Sequence, residues 1–384
     1  MAKKTILYFC LIAMIVCGCN QFTPNKKIKF KGIYSIPINP KTALSGINKL
    51  MVKTIGDSTY LSFYDEPNNT FYIYSFLNRT IISEINIQDS LFNSYGSTFY
   101  FHNLDSIFLL DLFNTNLHLI DNKGSNIWKI NLRSKELIES EFKQGNLFVP
   151  YPHDELNSSG FIFMDNKIFI SSGGSESVDF SKNCKDIFAV DLKNKKPTLV
   201  FNKPEIYYNG CWGHNLLHGF QLALNTFSNE IIVSYGADPY VYVTNFRGHS
   251  EKHLLKSKYL KKMSPFGYRK PSQYKHDDKI DKYDYTTGSY SRIYYDERNK
   301  RIYRFVNIPL SSKEFDQQMI IGKLNFKHSI IVSDDNYNKI DEILLDPELS
   351  FPVFISNGDL YFFDKDSYQK NQDSIYFKIY SIKL

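Results

Sequence analysis

Complete catalytic motifs are missing from this 384-residue chain. It has no G-x-S-x-G elbow, no G-x-x-x-x-G-K-[ST] loop and no G-x-G-x-x-G turn, which argues against elbow hydrolases, P-loop nucleotidases and dinucleotide enzymes. Gly173-Gly174-Ser175 follows a strand-like run, but its neighbours build neither a phosphate loop nor a nucleophile turn. Charge of one sign is also scarce. The net charge of +6 becomes +4 once Lys3 and Lys4 leave with a leader, too little to imply a nucleic acid partner. Convincing helices are few: only Ser134 to Lys143 and Lys256 to Met263 combine helical length with charge, and both are marginal alone. Beyond the leader no stretch reaches ~18 uninterrupted apolar residues, so no membrane-spanning helix is expected in the mature protein.

What is present begins with MAKKTILYFCLIAMIVCGCN. Lys3 and Lys4 precede an apolar run from Ile6 to Val16, the pattern of a signal peptide over residues 1–18. The exit Val16-Cys17-Gly18-Cys19 resembles the lipobox of bacterial lipoproteins, with Cys17 where Ala or Ser is preferred. The resemblance implies cleavage before Cys19, acylation of its thiol and residues 19–27 as a lipidated tether. Two or three acyl chains, at about 0.8 kcal/mol per buried methylene, hold a soluble domain stably on a membrane.

Of five cysteines, Cys10 and Cys17 leave with the leader and Cys19 carries lipid, leaving Cys184 and Cys211. Two thiols in an oxidising compartment are expected to pair, closing a loop of fewer than thirty residues for roughly 3 kcal/mol in the chain-entropy model.

The remaining chain is rich in aromatics, 16% with 28 Tyr and 31 Phe, which suit pleated, half-buried surfaces. An apolar strand, a polar turn and another strand recur at 71–87, 117–132, 186–201, 240–255 and 329–345, and 374–384 begins a sixth unit. Each hairpin follows further strands, as at 162–173, 230–236 and 353–363. Such four-stranded units predict an all-β propeller over 28–384, of six blades, or seven if the long interval before residue 329 holds another. The last unit lacks a fourth strand, and KIKFKGIYSIPI near the N-terminus is expected to supply it and close the ring. A pair of β-sandwiches is the structural alternative. The repeat is carried by strand pattern alone, because the Gly-His and Trp-Asp marks of the best-known propeller class are missing.

The lipobox, the chain length, the irregular Tyr-rich repeats and the stretch YSRIYYDERNKRIYRFVNIP (290–309) together resemble the propeller-type lipoproteins of Bacteroidota, in particular the domain-of-unknown-function family 4221. That resemblance covers nearly the whole mature chain and implies the fold and an envelope location, with no activity to carry over. The Asn20 start lacks the acidic run that resembles a surface-export signal in such lipoproteins, so the expected location is the outer membrane, facing the periplasm.

Three places hold candidate site residues. NGCWGHNLLHG (209–219) gathers Cys211, Trp212, His214, Asn215 and His218 among three glycines. The spacing of His214 and His218 suits one face of a helix, but a third ligand and a general base are lacking, so no metal or cofactor is expected. Trp212, His214 and Asn215 are read instead as ligand contacts at a propeller face. The long insertion at about 257–290 is the second place, read as a lid carrying Tyr268, Arg269, Tyr274 and Tyr290, with His276-Asp277-Asp278 as a solvated triplet. Arg304 is the third. It shares a strand face with Ile302 and Val306, so it must either pair within the blade, as with Asp296, or grip an acidic ligand. Asp65, Asp111, Asp191 and Asp296 each follow an apolar run and read as turn residues rather than a glycosidase pair.

These features favour a non-catalytic, envelope-anchored propeller binding a saccharide, peptide or protein ligand through its channel face. The competing classes are a periplasmic hydrolase or lyase acting on saccharides or peptides, and a scaffold subunit of an envelope complex. A propeller fold hosts all three.

Overall fold

The computed structural model describes residues 27–38, 50–87, 97–146, 149–152, 161–173, 184–213, 215–247, 249–267, 278–349 and 351–384. Its strands form six antiparallel sheets arranged as the blades of a propeller. The first blade holds β2 (Met51–Ile55), β3 (Ser58–Asp65), β4 (Thr70–Ser75) and β5 (Thr80–Asn86), following the lone strand β1 (Ile28–Pro37). The second holds β6 (Ser97–Asn103), β7 (Ser106–Asp111), β8 (Asn116–Ile120) and β9 (Asn126–Asn131). In the third the inner strand comes in two pieces, β10 (Tyr151–Pro152) and β11 (Phe161–Met164), followed by β12 (Lys167–Gly173), β13 (Lys185–Asp191) and β14 (Lys196–Asn202). The fourth is β15 (Phe220–Asn225), β16 (Glu230–Tyr235), β17 (Tyr240–Thr244) and β18 (Ser250–Leu254). The fifth is β19 (Ser289–Asp296), β20 (Arg301–Ile308), β21 (Lys327–Asp334) and β22 (Lys339–Leu344). The sixth is β23 (Phe354–Ser356), β24 (Asp359–Phe363) and β25 (Ser374–Ile382), completed by β1.

Ring closure is as the sequence implies: β1 runs antiparallel to β25 from Ile28↔Ile382 to Pro37↔Ser374. The expected hairpins at 71–87, 117–132, 186–201, 240–255 and 329–345 are in each case the two outer strands of a blade. Among the described residues no seventh blade lies before residue 329. That interval is taken up by two helices, α3 (Asp278–Thr287) and α4 (Ser312–Ile320), which lengthen the connections into β19 and β21.

The core is a ring of wedges between neighbouring blades. Tyr72 and Tyr74 of β4 face the sixth blade, whereas Phe71 and Ile73 face the second. A strand between two blades therefore buries both faces, which is why so many runs are apolar without alternation. Helix α1 (Lys135–Lys143) forms where the sequence places it, capped by Ser134, whose side chain accepts from the Leu137 amide. Lys256 to Met263 is not a helix. Glu342 holds its start instead, accepting from the Ser257 hydroxyl and, at 2.7 Å, from the Lys258 amide.

One hairpin turn recurs. In D-x-x-N-x the aspartate carboxylate takes the asparagine's amide groups and the next residue adopts positive φ. Asn68 Nδ2 reaches Asp65 at 2.7 Å, Asn114 Nδ2 reaches Asp111 at 2.7 Å and Asn299 Nδ2 reaches Asp296 at 2.7 Å. The following residues, Asn69, Thr115 and Lys300, have φ of 48°, 55° and 49°. Asp191 does the same through the Asn194 amide at 3.0 Å, with Lys195 at φ 53°. These carboxylates are turn residues, as expected from sequence, but they sit at turns of different rank rather than at one repeated position.

Candidate ligand-binding channel

The inner strands β2, β6, β11, β15, β19 and β23 contact one another in sequence around the axis. At the end where each hands over to the next strand they enclose a cavity of about 780 Å³. Every blade contributes: Met51 to Thr54, Tyr100, Phe163, Leu224, Tyr295 with Asp296, and Ile355 with Ser356. That volume falls in the roughly 300–1,000 Å³ range of small-molecule sites. Turns shape the rim. Gly358, at φ +81°, lies so close to the Asn299 side chain that a Cβ would stand 2.3 Å from Nδ2.

Lys53 is the half-buried cation of this channel wall, Arg298 the exposed one. Met51, Lys53 and Ile55 share one face of a five-residue strand, so Lys53 projects from an otherwise apolar side. Its ammonium donates to the Tyr100 hydroxyl at 3.1 Å and the His102 carbonyl at 2.8 Å, and lies 4.6 Å from the Tyr100 ring centroid. Burial, with no carboxylate nearby to oppose it, pulls this amine down to about 8. Burial first, then the Lys53 charge, lowers His102 below the usual imidazole range. The His102 ring packs 4.3 Å from Phe163 across the seam to the third blade. Asp296 is held by Asn299 and by the Tyr303 hydroxyl at 3.1 Å. Sequence reasoning passed over Lys53 and Tyr100. A lysine on the apolar face of a blade's first strand was the available signal.

The residues singled out from sequence lie elsewhere. Tyr290 is at the opposite end of β19 from Asp296 and is 3% exposed, its hydroxyl accepting from the Ser257 amide at 3.1 Å. Trp212 is 2% exposed and donates Nε1 to the Ile206 carbonyl at 3.0 Å. Neither is presented to a ligand. Arg304 is wholly buried and neither pairs with Asp296 nor lines the channel. Its Nε donates to Ser234 Oγ at 2.9 Å, one terminal nitrogen to the carbonyls of Pro239 and Leu255, and the other to those of Tyr235 and Asp238. All five N–H groups are satisfied by the fourth blade. The ligand-gripping role is therefore corrected to a structural one.

Cys184 and Cys211 do not form the expected disulfide. Both thiols are buried and turned to their own neighbours: Cys184 Sγ donates to Asp186 Oδ1 at 3.5 Å, and Cys211 Sγ to the Gly213 carbonyl at 3.9 Å. Cys211 is fixed by a backbone bridge to Gly267, its amide donating to the Gly267 carbonyl at 2.7 Å, and Cys184 immediately precedes β13. Gly213 is needed beside it, since a Cβ there would stand 1.7 Å from Asp284 Oδ1 of α3. Asn215 opens a single-turn helix, α2 (Asn215–His218), its side chain lying outside the described residues. Cys19, His214, Tyr268, Arg269, Tyr274, His276 and Asp277 lie outside them as well. Among the described residues no group of three or more His, Cys, Asp or Glu is placed to hold a metal ion, and no helix is long and apolar enough to cross a membrane.

A family profile described as a domain of unknown function, DUF4221, matches residues 44–344. A member of that family from Bacteroides vulgatus is similar in structure, with a TM-score of 0.73 at 17% identity, over 94% of this chain and 99% of that one. A Bacteroides fragilis chain named as an exported protein is similar with a TM-score of 0.53 at 10% identity, over 94% of this chain and 98% of that one. At these identities the likeness concerns the fold. No curated protein matches the sequence.

Proposed function

The chain belongs to the DUF4221 family, and on that premise we propose that it is an envelope-anchored, non-catalytic propeller that binds a small ligand at the Lys53 mouth of its channel. The observation that carries this reading is the cavity to which all six blades contribute, lined by apolar and polar side chains in nearly equal share and holding Lys53, a cation drawn out of water. The hydrolase reading loses support because its candidate carboxylates are tied into turns.

The anchor fits the same picture. Lys31 pairs with Asp359 at 2.6 Å, beside the Ser356–Asn357 rim, so β1 starts on the mouth side of the propeller. Seven residues separate Cys19 from Lys27, and the eight steps reach at most ~28 Å. With Cys19 acylated, the tether would leave from the mouth side of the propeller.

The test is thermal stability of the mature chain against glycans, peptides and small acids, beside a Ser356→Trp variant that fills the mouth. A ligand at 100 times its dissociation constant adds about 2.7 kcal/mol of stability. Stabilisation lost in Ser356→Trp supports the reading. Stabilisation that survives it places binding elsewhere, and silence with a co-purifying protein favours the scaffold.

A further inference from the structure

We infer that the channel ligand carries a carboxylate or phosphate group, held by the Lys53 ammonium and the Tyr100 hydroxyl together. This deepens the proposed function and rests on the channel mouth being a binding site.

The Lys53 ammonium carries three N–H groups, and its partners are two neutral oxygens, the Tyr100 hydroxyl and the His102 carbonyl. No carboxylate among the described residues forms an ion pair with it. An amine drawn out of water without a counter-ion is the partner an anion would complete, because opposite charge restores what desolvation removes. Tyr100 adds a second donor. Burial raises its hydroxyl, so it stays a neutral phenol that accepts from Lys53 and keeps its own proton to give. The two groups present donors from adjacent blades, with N and O 3.1 Å apart, a spacing that suits the two oxygens of one carboxylate or phosphate.

The other charges at the mouth do not cancel this site. Asp296 carries a negative charge, but its carboxylate is turned to Asn299 and Tyr303 and forms no ion pair with Lys53. Glu297 and Arg298 are adjacent on the exposed turn and offset each other, and Arg298 donates to the Asn357 carbonyl at 3.0 Å. Phe163, Leu224 and Ile355 give an apolar wall for the rest of the ligand. The expected occupant is therefore a small soluble acid with an apolar or sugar body.

The experiment is competitive trace acetylation of the mature chain at pH 8, read by mass spectrometry at each lysine. Glucuronate and inorganic phosphate serve as anionic probes, glucose as the neutral one, and sodium chloride matches ionic strength. Expected is about fivefold slower acetylation of Lys53 with either anion relative to Lys193 and Lys300, and no change with glucose. Thermal stabilisation by glucuronate should weaken about tenfold or more in apparent affinity in Lys53→Gln and persist in Lys53→Arg. Equal protection by glucose and glucuronate overturns the anion inference and keeps the channel as a site. Lys53 acetylation indifferent to all three probes, while Ser356→Trp still abolishes binding of another compound, overturns it too. Indifference together with silence across the stability panel removes both readings.

Discussion

The guanidinium carbon of Arg304 lies 3.6 Å from the centroid of the Tyr290 ring, and the hydroxyl of that ring accepts from the Ser257 amide. A cation from the fifth blade is thus sandwiched between an aromatic face and carbonyls of the fourth, joining two sheets that share no ladder. Burial lowers this guanidinium to about 10, so it stays charged at any pH the protein meets.

Replacing Arg304 by Ala should destabilise the fold by about 3–5 kcal/mol, since it strands several buried acceptors at once. Arg304→Lys should recover only part of this, as three donors cannot serve five acceptor positions. Denaturant unfolding measures both. A midpoint unmoved in Arg304→Ala would contradict the role given to the residue.

Acidification should weaken the protein below neutrality through His328. Burial, then the charge of Arg292, lowers this imidazole to about 4, with its ring 4.4 Å from Phe351. A depressed histidine contributes stability that is present above the unfolded value of ~6.5 and lost as pH falls toward the folded value, at most about 3 kcal/mol here. Half-buried His102 and buried His118 shift in the same direction. Melting temperature should therefore fall between pH 7 and 4.5, and His328→Phe should flatten the slope. An equal slope in that variant would assign the effect to other groups.

Both internal thiols should be alkylated when a chain of residues 20–384 is unfolded without reductant. Cys184 and Cys211 are separately buried, so labelling should be slow in the native state and complete, at two adducts, after denaturation. A mass showing no adducts would restore the disulfide.

A chain beginning at residue 38 lacks β1 and exposes the β25 edge together with the seam that Tyr34 and Ile36 fill. It should form soluble aggregates on size exclusion. A synthetic peptide of residues 27–38 added during refolding should return it to monomer, and failure of that rescue would count against β1 as the closing strand.

Much of this architecture is legible in the sequence because each blade declares itself locally. The outer hairpins alternate or run apolar between polar turns, and Asp65, Asp111, Asp191 and Asp296 each end a strand in a self-satisfied turn. The site is less legible because its parts meet only when neighbouring blades pack together. Arg304 looks like a displaced charge until the carbonyls of Tyr235 to Pro239, nearly seventy residues earlier, fold around it. Helix α3 (DKIDKYDYTT) is poor in strong helix formers and is fastened by tertiary contacts, with Ile280 and Asp284 buried. Lys53 and Tyr100 are ordinary residues in separate strands, 47 positions apart, and only the packing of the first blade on the second makes them neighbours.

The closing strand also decides how the molecule bears mechanical load. A pull arriving along the chain at Lys27 runs down the axis of β1, across the direction of the hydrogen bonds that tie it to β25 over nine residue pairs. Those rungs share the force in shear instead of opening one after another. The strand that seals the ring is thereby also strain-resistant, and a molecule pulled from that end should hold its shape until the whole ladder gives way together.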